Sequence, residues 1–333
     1  MIRILSVENM RKSDAAAIAA GTPGRDLMFR AGQRIFESVE WKPPVAILCG
    51  SGNNAGDGYV IAKLLHDAGI ACDLILLSER FSEDGTYYYN LCRDAGIPSL
   101  RWDPAVDLTK YGTIADCLFG TGFRGEVRGP AREAIEAVNK SGAYVVAVDI
   151  NSGLNGDSGM AELCIRSDLT VSVGDFQPGH FLNMAKDVMQ EKINCDIGIE
   201  PVDRAYALIE VSDLKTLLRP RKNFSNKGTY GYTALIGGSK RYSGAIRLAG
   251  MASAAMRAGA GVVKLAVPDV IFSTVAPAVL ESTVFPLSDN GEEMIFSEKE
   301  LAELTANVKA AAFGMGIGTG AGAAEALDWL LSH

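Results

Sequence analysis

Val45-Ala46-Ile47-Leu48-Cys49-Gly50-Ser51-Gly52-Asn53-Asn54-Ala55-Gly56-Asp57-Gly58 joins an apolar run to a loop in which glycines alternate with amide and carboxylate side chains. Residues 59–68 then have a helical pattern, so the stretch reads as strand, loop and helix. Glycines let backbone N–H groups approach phosphate oxygens, and a helix N-terminus favours anions. Asn53, Asn54 and Asp57 offer more than a pyrophosphate grip requires. Two amides and an acid suit a polar ring, a cation, or both. Gly50, Gly52 and Gly56 are spaced one residue too widely for the G-x-G-x-x-G fingerprint, and no Lys-Ser or Lys-Thr follows as in a P-loop. The competing reading is a plain strand-to-helix turn whose glycines only permit tight geometry.

Apolar runs recur at 45–49, 72–77, 113–119, 144–150 and 169–173 and alternate with helix-compatible stretches. This is the pattern of an α/β protein with a Rossmann-like, doubly wound, mostly parallel sheet. Near-continuous apolar strands imply a sheet buried on both faces, and such sheets bind ligands beyond their carboxyl ends. Two further polar, glycine-rich segments end strands, at 116–124 and 149–159, so three segments carrying acids converge on one rim. Before the first strand, Ser6 is placed to cap a helix running to about residue 20, and Gly21-Thr22-Pro23-Gly24 breaks it. In a second helix Leu27, Met28, Ala31, Ile35, Phe36 and Val39 recur at helical spacing, which serves packing or a dimer face.

The chain has 333 residues, 48% hydrophobic and 22% charged, long enough for two domains. Its formal net charge of -8 argues against nucleic-acid and anionic-membrane partners. Arg3, Glu8, Arg11, Lys12 and Asp14 interrupt the N-terminal apolar residues, which excludes a signal peptide or membrane span there. Six cysteines without a C-x-x-C pair read as buried thiols in a reducing cytoplasm. His66, His180 and His333 have no metal-ligand spacing with them, so zinc is not expected and each reads as a surface or core histidine.

Taken in order, Met10 and Asp14, the Leu27-Met28 and Ala31-Gly32 pairs, the G-x-G-N-N-x-G-D-G loop, the 116–124 segment and Val148-Asp149-Ile150-x-Ser152-Gly153 resemble the YjeF N-terminal family, the NAD(P)H-hydrate epimerases. The likeness spans about residues 4–199. Ala55 stands where that family commonly has glycine, and Asn151 where it commonly has proline; neither change removes a functional group. The resemblance implies a metabolite-repair enzyme acting on NADH or NADPH that has taken up water at C6, interconverting the R and S hydrates. By position, Asn53, Asn54, Ala55, Gly56, Asp57, Gly120, Thr121, Gly122, Phe123, Arg124, Gly125, Glu126 and Asp149 would line the hydrate pocket. Asn54, Asp116 and Ser152 would hold a potassium ion, a role that suits hard oxygen donors. Asp149 is the expected catalytic acid and base, since loss of the C6 hydroxyl leaves a nitrogen-stabilised cation that a carboxylate can attend.

Residues 200–221 mix charges and prolines and read as a linker helix with turns, dividing a first domain (1–207) from a second α/β unit (208–333). In the second, 232–236 and 262–267 read as strands around a small-residue helix. Residues 226–231, Gly237-Gly238-Ser239, Ser243-Gly244-Ala245, 258–262 and the 314–320 loop resemble the opening of the ADP-dependent (S)-NAD(P)H-hydrate dehydratases, of ribokinase-like fold. That likeness implies ADP or ATP as cofactor and Ala245 as a substrate contact. The later His-Pro segment, nucleotide pocket and Gly-x-Gly-Asp motif of those enzymes do not occur here. The expectation is therefore a truncated and inactive dehydratase domain, in a chain that forms a homodimer or higher homo-oligomer. A non-catalytic nucleotide-binding scaffold would call for a missing Asp149 or a broken Asn53-Asn54 loop, and a ribokinase-like kinase would need the absent Gly-x-Gly-Asp motif.

Overall fold

A short strand, β1 (Ile2–Ile4), leads into α1 (Val7–Ala19), where the Ser6 hydroxyl accepts a hydrogen bond from the Asn9 amide at 3.1 Å as its sequence dictates. After the Gly-Thr-Pro break comes α2 (Gly24–Ser38), followed by β2 (Val45–Cys49), α3 (Asn53–Asp67), β3 (Cys72–Leu76), α4 (Glu83–Asp94) and β4 (Ser99–Arg101). The chain continues through β5 (Thr113–Cys117), α5 (Pro130–Val138), β6 (Tyr144–Val148), β7 (Ser167–Val173), α6 (Ala185–Val188) and β8 (Met189–Cys195). The computed structural model describes residues 1–333 apart from 204, 218, 219 and 253, and the chain divides into two units, 1–218 and 219–333.

In the first unit seven strands form one sheet in the order β4-β3-β2-β5-β6-β7-β8, every neighbouring pair parallel. Side chains of β2 alternate between its faces. Val45, Ile47 and Cys49 pack with Met28, Tyr59, Ile61 and Leu65 under α2 and α3, whereas Ala46 and Leu48 pack with Ile114, Ile135 and Val138 against α5. Both faces are covered, which is why these strands are apolar without interruption. Leu27, Met28, Ala31 and Ile35 of α2 are buried within this unit, so these four residues serve packing.

Residues 200–221, expected as a linker helix with turns, contain that helix and a strand besides. Residues 206–208 form β9 (Tyr206–Leu208), which pairs antiparallel with β1, and α7 (Val211–Leu217) follows; Asp213 accepts from the terminal amino group of Met1 at 2.7 Å. A division at 207/208 would run through β9, whose hydrogen bonds belong to the first unit.

The second unit comprises β10 (Tyr232–Ile236), α8 (Ser243–Ala252), α9 (Ala254–Ala258), β11 (Val262–Pro268), α10 (Asp269–Val275), β12 (Thr283–Leu287), α11 (Glu298–Thr305), β13 (Val308–Phe313) and α12 (Ala321–Ser332). Its parallel sheet has the order β12-β11-β10-β13. Ala234, Ile236 and Ala266 pack on one face with Leu301, Leu304 and Ala326, while Leu235, Leu265 and Val267 pack on the other with Ile246 and Ile271. Among the described residues no helix is long and apolar enough to cross a membrane.

Candidate functional site

At the centre of the seven-stranded sheet β2 and β5 are neighbours, and the chain proceeds from them toward opposite edges. Such a switch point opens a crevice beyond the carboxyl ends of the strands. Here it is a cleft of about 520 Å³, within the range of small-molecule sites. The loop after β2 supplies Ser51 and Gly52, and the start of α3 supplies Asn53, Asn54 and Asp57. The loop after β5 supplies Leu118, Phe119, Gly120, Thr121, Gly122 and Phe123, and the end of β6 supplies Asp149. Val7, Met10, Arg11 and Asp14 of α1 and Leu27 and Met28 of α2 close the remaining side.

Asp149 adopts φ 67°, a left-handed conformation that costs a residue other than glycine about 1–3 kcal/mol. Its amide still donates to the Val171 carbonyl at 2.8 Å, and the turn that follows sends the carboxylate into the cleft, where Oδ2 accepts from the Thr121 amide at 2.8 Å. Gly120 makes this approach possible. A Cβ there would stand 2.8 Å from Asp149 Oδ2 and 3.5 Å from the Asn54 Cβ, so amide and acid flank one bare stretch of backbone.

Burial pushes the Asp149 carboxyl up, and hydrogen bonds from Thr121 and Val173 pull it back. Two more acids share the cleft. Burial, followed by the Asp149 charge, raises Asp14 to about 6, and burial with the charges of Asp149 and Asp14 holds Asp57 well above the usual carboxylate range. Three carboxyls so placed resist simultaneous ionisation, so the cleft retains protons at a pH where free carboxylates have lost them.

Asp116, at the end of β5, is fully buried. Its Oδ1 accepts from the Ser152 hydroxyl at 2.6 Å and its Oδ2 from the Ser152 amide at 2.8 Å, yet burial still lifts its carboxyl to about 6. The Phe119 amide donates to Ser152 Oγ at 2.8 Å, which ties this pair to the turn beside Gly120. Asn54 abuts the same turn, is buried, and leaves both its side-chain oxygen and nitrogen without a hydrogen-bond partner. A buried polar group left unpaired costs about 1–3 kcal/mol, which a ligand or ion would relieve. Among the described residues no three His, Cys, Asp or Glu side chains gather as a transition metal would require.

Not every expected lining residue faces the cleft. Ala55 is buried in the core and Gly56 is pressed against the Met28 thioether, because they lie on the turn of α3 that faces away from Asn53 and Asp57. Arg124, Gly125 and Glu126 are exposed beyond the cleft wall. Arg124 donates to the Thr121 and Phe123 carbonyls at 3.0 Å and to Asp157 at 3.1 Å, and Glu126 pairs with Arg128 at 2.8 Å. Asp157 in turn accepts from the Val7 amide at 2.8 Å, so Arg124 braces the loop against the start of α1.

In the second unit the glycine segments also meet at strand ends. The Gly238 amide donates to the Met315 carbonyl at 2.9 Å and the Ser239 hydroxyl to the Gly316 carbonyl at 2.9 Å, joining the loops after β10 and β13. Ala245, exposed on α8, lies 3.4 Å from where a Gly316 side chain would begin.

Two family models match the chain: YjeF-related protein N-terminus over residues 24–179 and NAD(P)H-hydrate dehydratase over residues 233–333. A bifunctional NAD(P)H-hydrate repair enzyme Nnr from Archaeoglobus fulgidus is 33% identical, the match covering 99% of this chain and 69% of that relative. The chain belongs to this repair-enzyme family. The repair enzyme of the same description from Coxiella burnetii is 34% identical over 77% of this chain and 54% of its own length, and that from Escherichia coli is 33% identical over 75% and 50%. The chain thus spans between half and about two thirds of the length of these relatives. In fold, the crystal structure of the yeast protein ynu0 aligns with a TM-score of 0.50 at 22% identity, covering 57% of this repair-family chain and 87% of the yeast chain. The second match assigns residues 233–333 to the dehydratase domain and lends no support to the expected inactivity of that domain.

Two residues, one lining the cleft and one behind Asp149, went unassigned from sequence. Asp14 follows Met10 by one helical turn on the face of α1 that meets the cleft, a pattern visible in retrospect. His180 meets Asp149 through its ring Nε2 and the Asp149 main-chain carbonyl, so no side-chain pairing in the sequence marks it.

Proposed function

We propose that the first unit interconverts the R and S hydrates of NADH or NADPH at C6 of the nicotinamide ring, and that Asp149 is its acid and base. The observation that carries this reading is the Asp149 carboxylate, held at the cleft by the Thr121 amide and kept prone to protonation by burial. Protonated Asp149 gives its proton to the C6 hydroxyl, the C–O bond breaks, and water leaves as the ring nitrogen shares its electron pair with C6. The carboxylate formed stabilises that cation. Water then adds to the opposite face, and its surplus proton returns to a carboxylate of the cleft, which inverts C6 without net change elsewhere. Asn53, Asn54 and Asp57 line the wall where a polar ring would be recognised.

The orphaned Asn54 amide and the buried Asp116–Ser152 pair favour a potassium ion there. Such an ion would supply a fixed positive charge that offsets the Asp116 carboxylate and orders the 118–120 turn. The second unit is proposed as a dehydratase-type domain, a type whose substrate would be the S hydrate with ADP or ATP as cofactor, and Ala245 beside the 314–320 loop is the substrate contact carried over from sequence. Six free, buried cysteines fit a reducing cytoplasm. The deciding experiment incubates the chain with mixed NADPH hydrates and follows the R to S ratio by chromatography. Wild type should equilibrate the epimers, and Asp149→Asn should keep the fold while losing about 100-fold or more of the rate. A fully active Asp149→Asn would remove the assigned role.

A further inference from the structure

The loop after β7 folds back on the segment that carries Asp149. Gly179 donates its amide to the Gly156 carbonyl at 2.7 Å, and a side chain at Gly179 would collide with the carbonyls of Asn155 and Gly156. This close seam delivers His180 beneath the cleft. The imidazole is fully buried, and each ring nitrogen meets a backbone atom of fixed chemistry. The Gln177 amide, always a donor, points at Nδ1 at 3.0 Å, and the Asp149 carbonyl oxygen, always an acceptor, lies 2.8 Å from Nε2. The Asp149 carbonyl requires the proton on Nε2, and Nδ1, which also has the Gln177 carbonyl 3.2 Å away, takes the shorter bond from the Gln177 amide as the acceptor of a neutral ring. Burial also lowers the imidazole to about 4, which keeps it neutral at working pH, and Lys192 Nζ donates to the His180 carbonyl at 2.8 Å.

We propose that His180 is a positioning residue for Asp149: by donating Nε2–H to the Asp149 carbonyl it holds that residue's backbone left-handed and its carboxylate turned into the cleft. The strained φ of 67° requires such restraint, because the strand preceding it would otherwise continue extended. Thr121 fixes the carboxylate and His180 fixes the backbone, so the acid is held from both ends. The kinetic part of this inference rests on the epimerase reading.

The test compares His180→Leu, which removes the donor, with His180→Gln, whose amide nitrogen can reach the same carbonyl. His180→Leu should lower kcat by about tenfold to a hundredfold while KM stays within about twofold, and His180→Gln should recover most of the loss. Wild-type kcat in His180→Leu, or a His180→Gln enzyme no better than it, would overturn the proposal. If His180→Leu does not fold, His180→Asn, whose amide is too short to reach the carbonyl, takes its place against His180→Gln. The crystal structure of the donor-less variant gives a readout independent of activity: relaxation of Asp149 out of its left-handed conformation supports the clamp, and an unchanged φ refutes it. Inactive wild type would sink the epimerase reading alone and leave the crystallographic comparison to decide the clamp.

Discussion

At Asp14 the folded chain holds a proton more tightly than the unfolded chain, because burial and the Asp149 charge raise the carboxyl from 3.8 to about 6. Between those values the folded state carries the extra proton, so this group makes stability increase as pH falls from 6 toward 4. His180 acts in the opposite sense. Its imidazole falls from 6.5 to about 4 on burial, so in that window the unfolded chain takes up the proton and stability declines on acidification. The two residues can be separated by melting curves from pH 7 to pH 4.5. Asp14→Asn should melt above wild type at pH 7, where a partly buried charge has been removed, and lose that advantage at the acid end. A constant difference between the two curves would mean that Asp14 titrates normally.

Among the elements, the turns after β2 and β5 decide the site. The Gly50 amide donates to the Cys117 carbonyl at 3.2 Å, and a Cβ at Gly50 would collide with the Leu118 carbonyl oxygen. Gly50→Ala should therefore lower stability by about 1–3 kcal/mol in urea unfolding; an unchanged midpoint would show that the two turns part freely. An ion held beside them stabilises only the folded state. Potassium should raise the melting midpoint of wild type over that in tetramethylammonium at equal concentration, and Asp116→Ala should abolish the difference. Equal shifts in both proteins would remove the site. Much of this was legible in sequence because strands buried on both faces are apolar without interruption and the polar turns begin where they end. What was not legible has physical causes. Exposed β4 and the mixed polar β8 are edge strands lacking that signature, and β9 is recognisable only through its partner β1. At the start of α3, Asn53 and Asp57 are about one turn apart on one side, which leaves Ala55 and Gly56 facing the core. His180 acts on main-chain atoms, which every sequence supplies.

Over the whole molecule, burial is unevenly shared. β2 and β5 are buried along their full length, whereas residues 309–312 of β13, at the edge of the four-stranded sheet, are exposed. Hydrogen exchange followed by mass spectrometry should find the slowest amides in β2, β5 and β6 and much faster ones in β4 and β13. Exchange in β13 as slow as in β5 would contradict that ordering. The distribution of sulfur is more uneven still. All six cysteines lie between Cys49 and Cys195, each free and buried, and burial pushes their thiols up, Cys72 and Cys164 to about 11 and Cys92 to about 12. Folded, they present neither an accessible sulfur nor a thiolate to an alkylating reagent. The unit bearing the cleft thus carries its own chemical clock: the rate of maleimide capture, divided by that of the denatured chain, reports how often this unit opens, while the second unit stays silent.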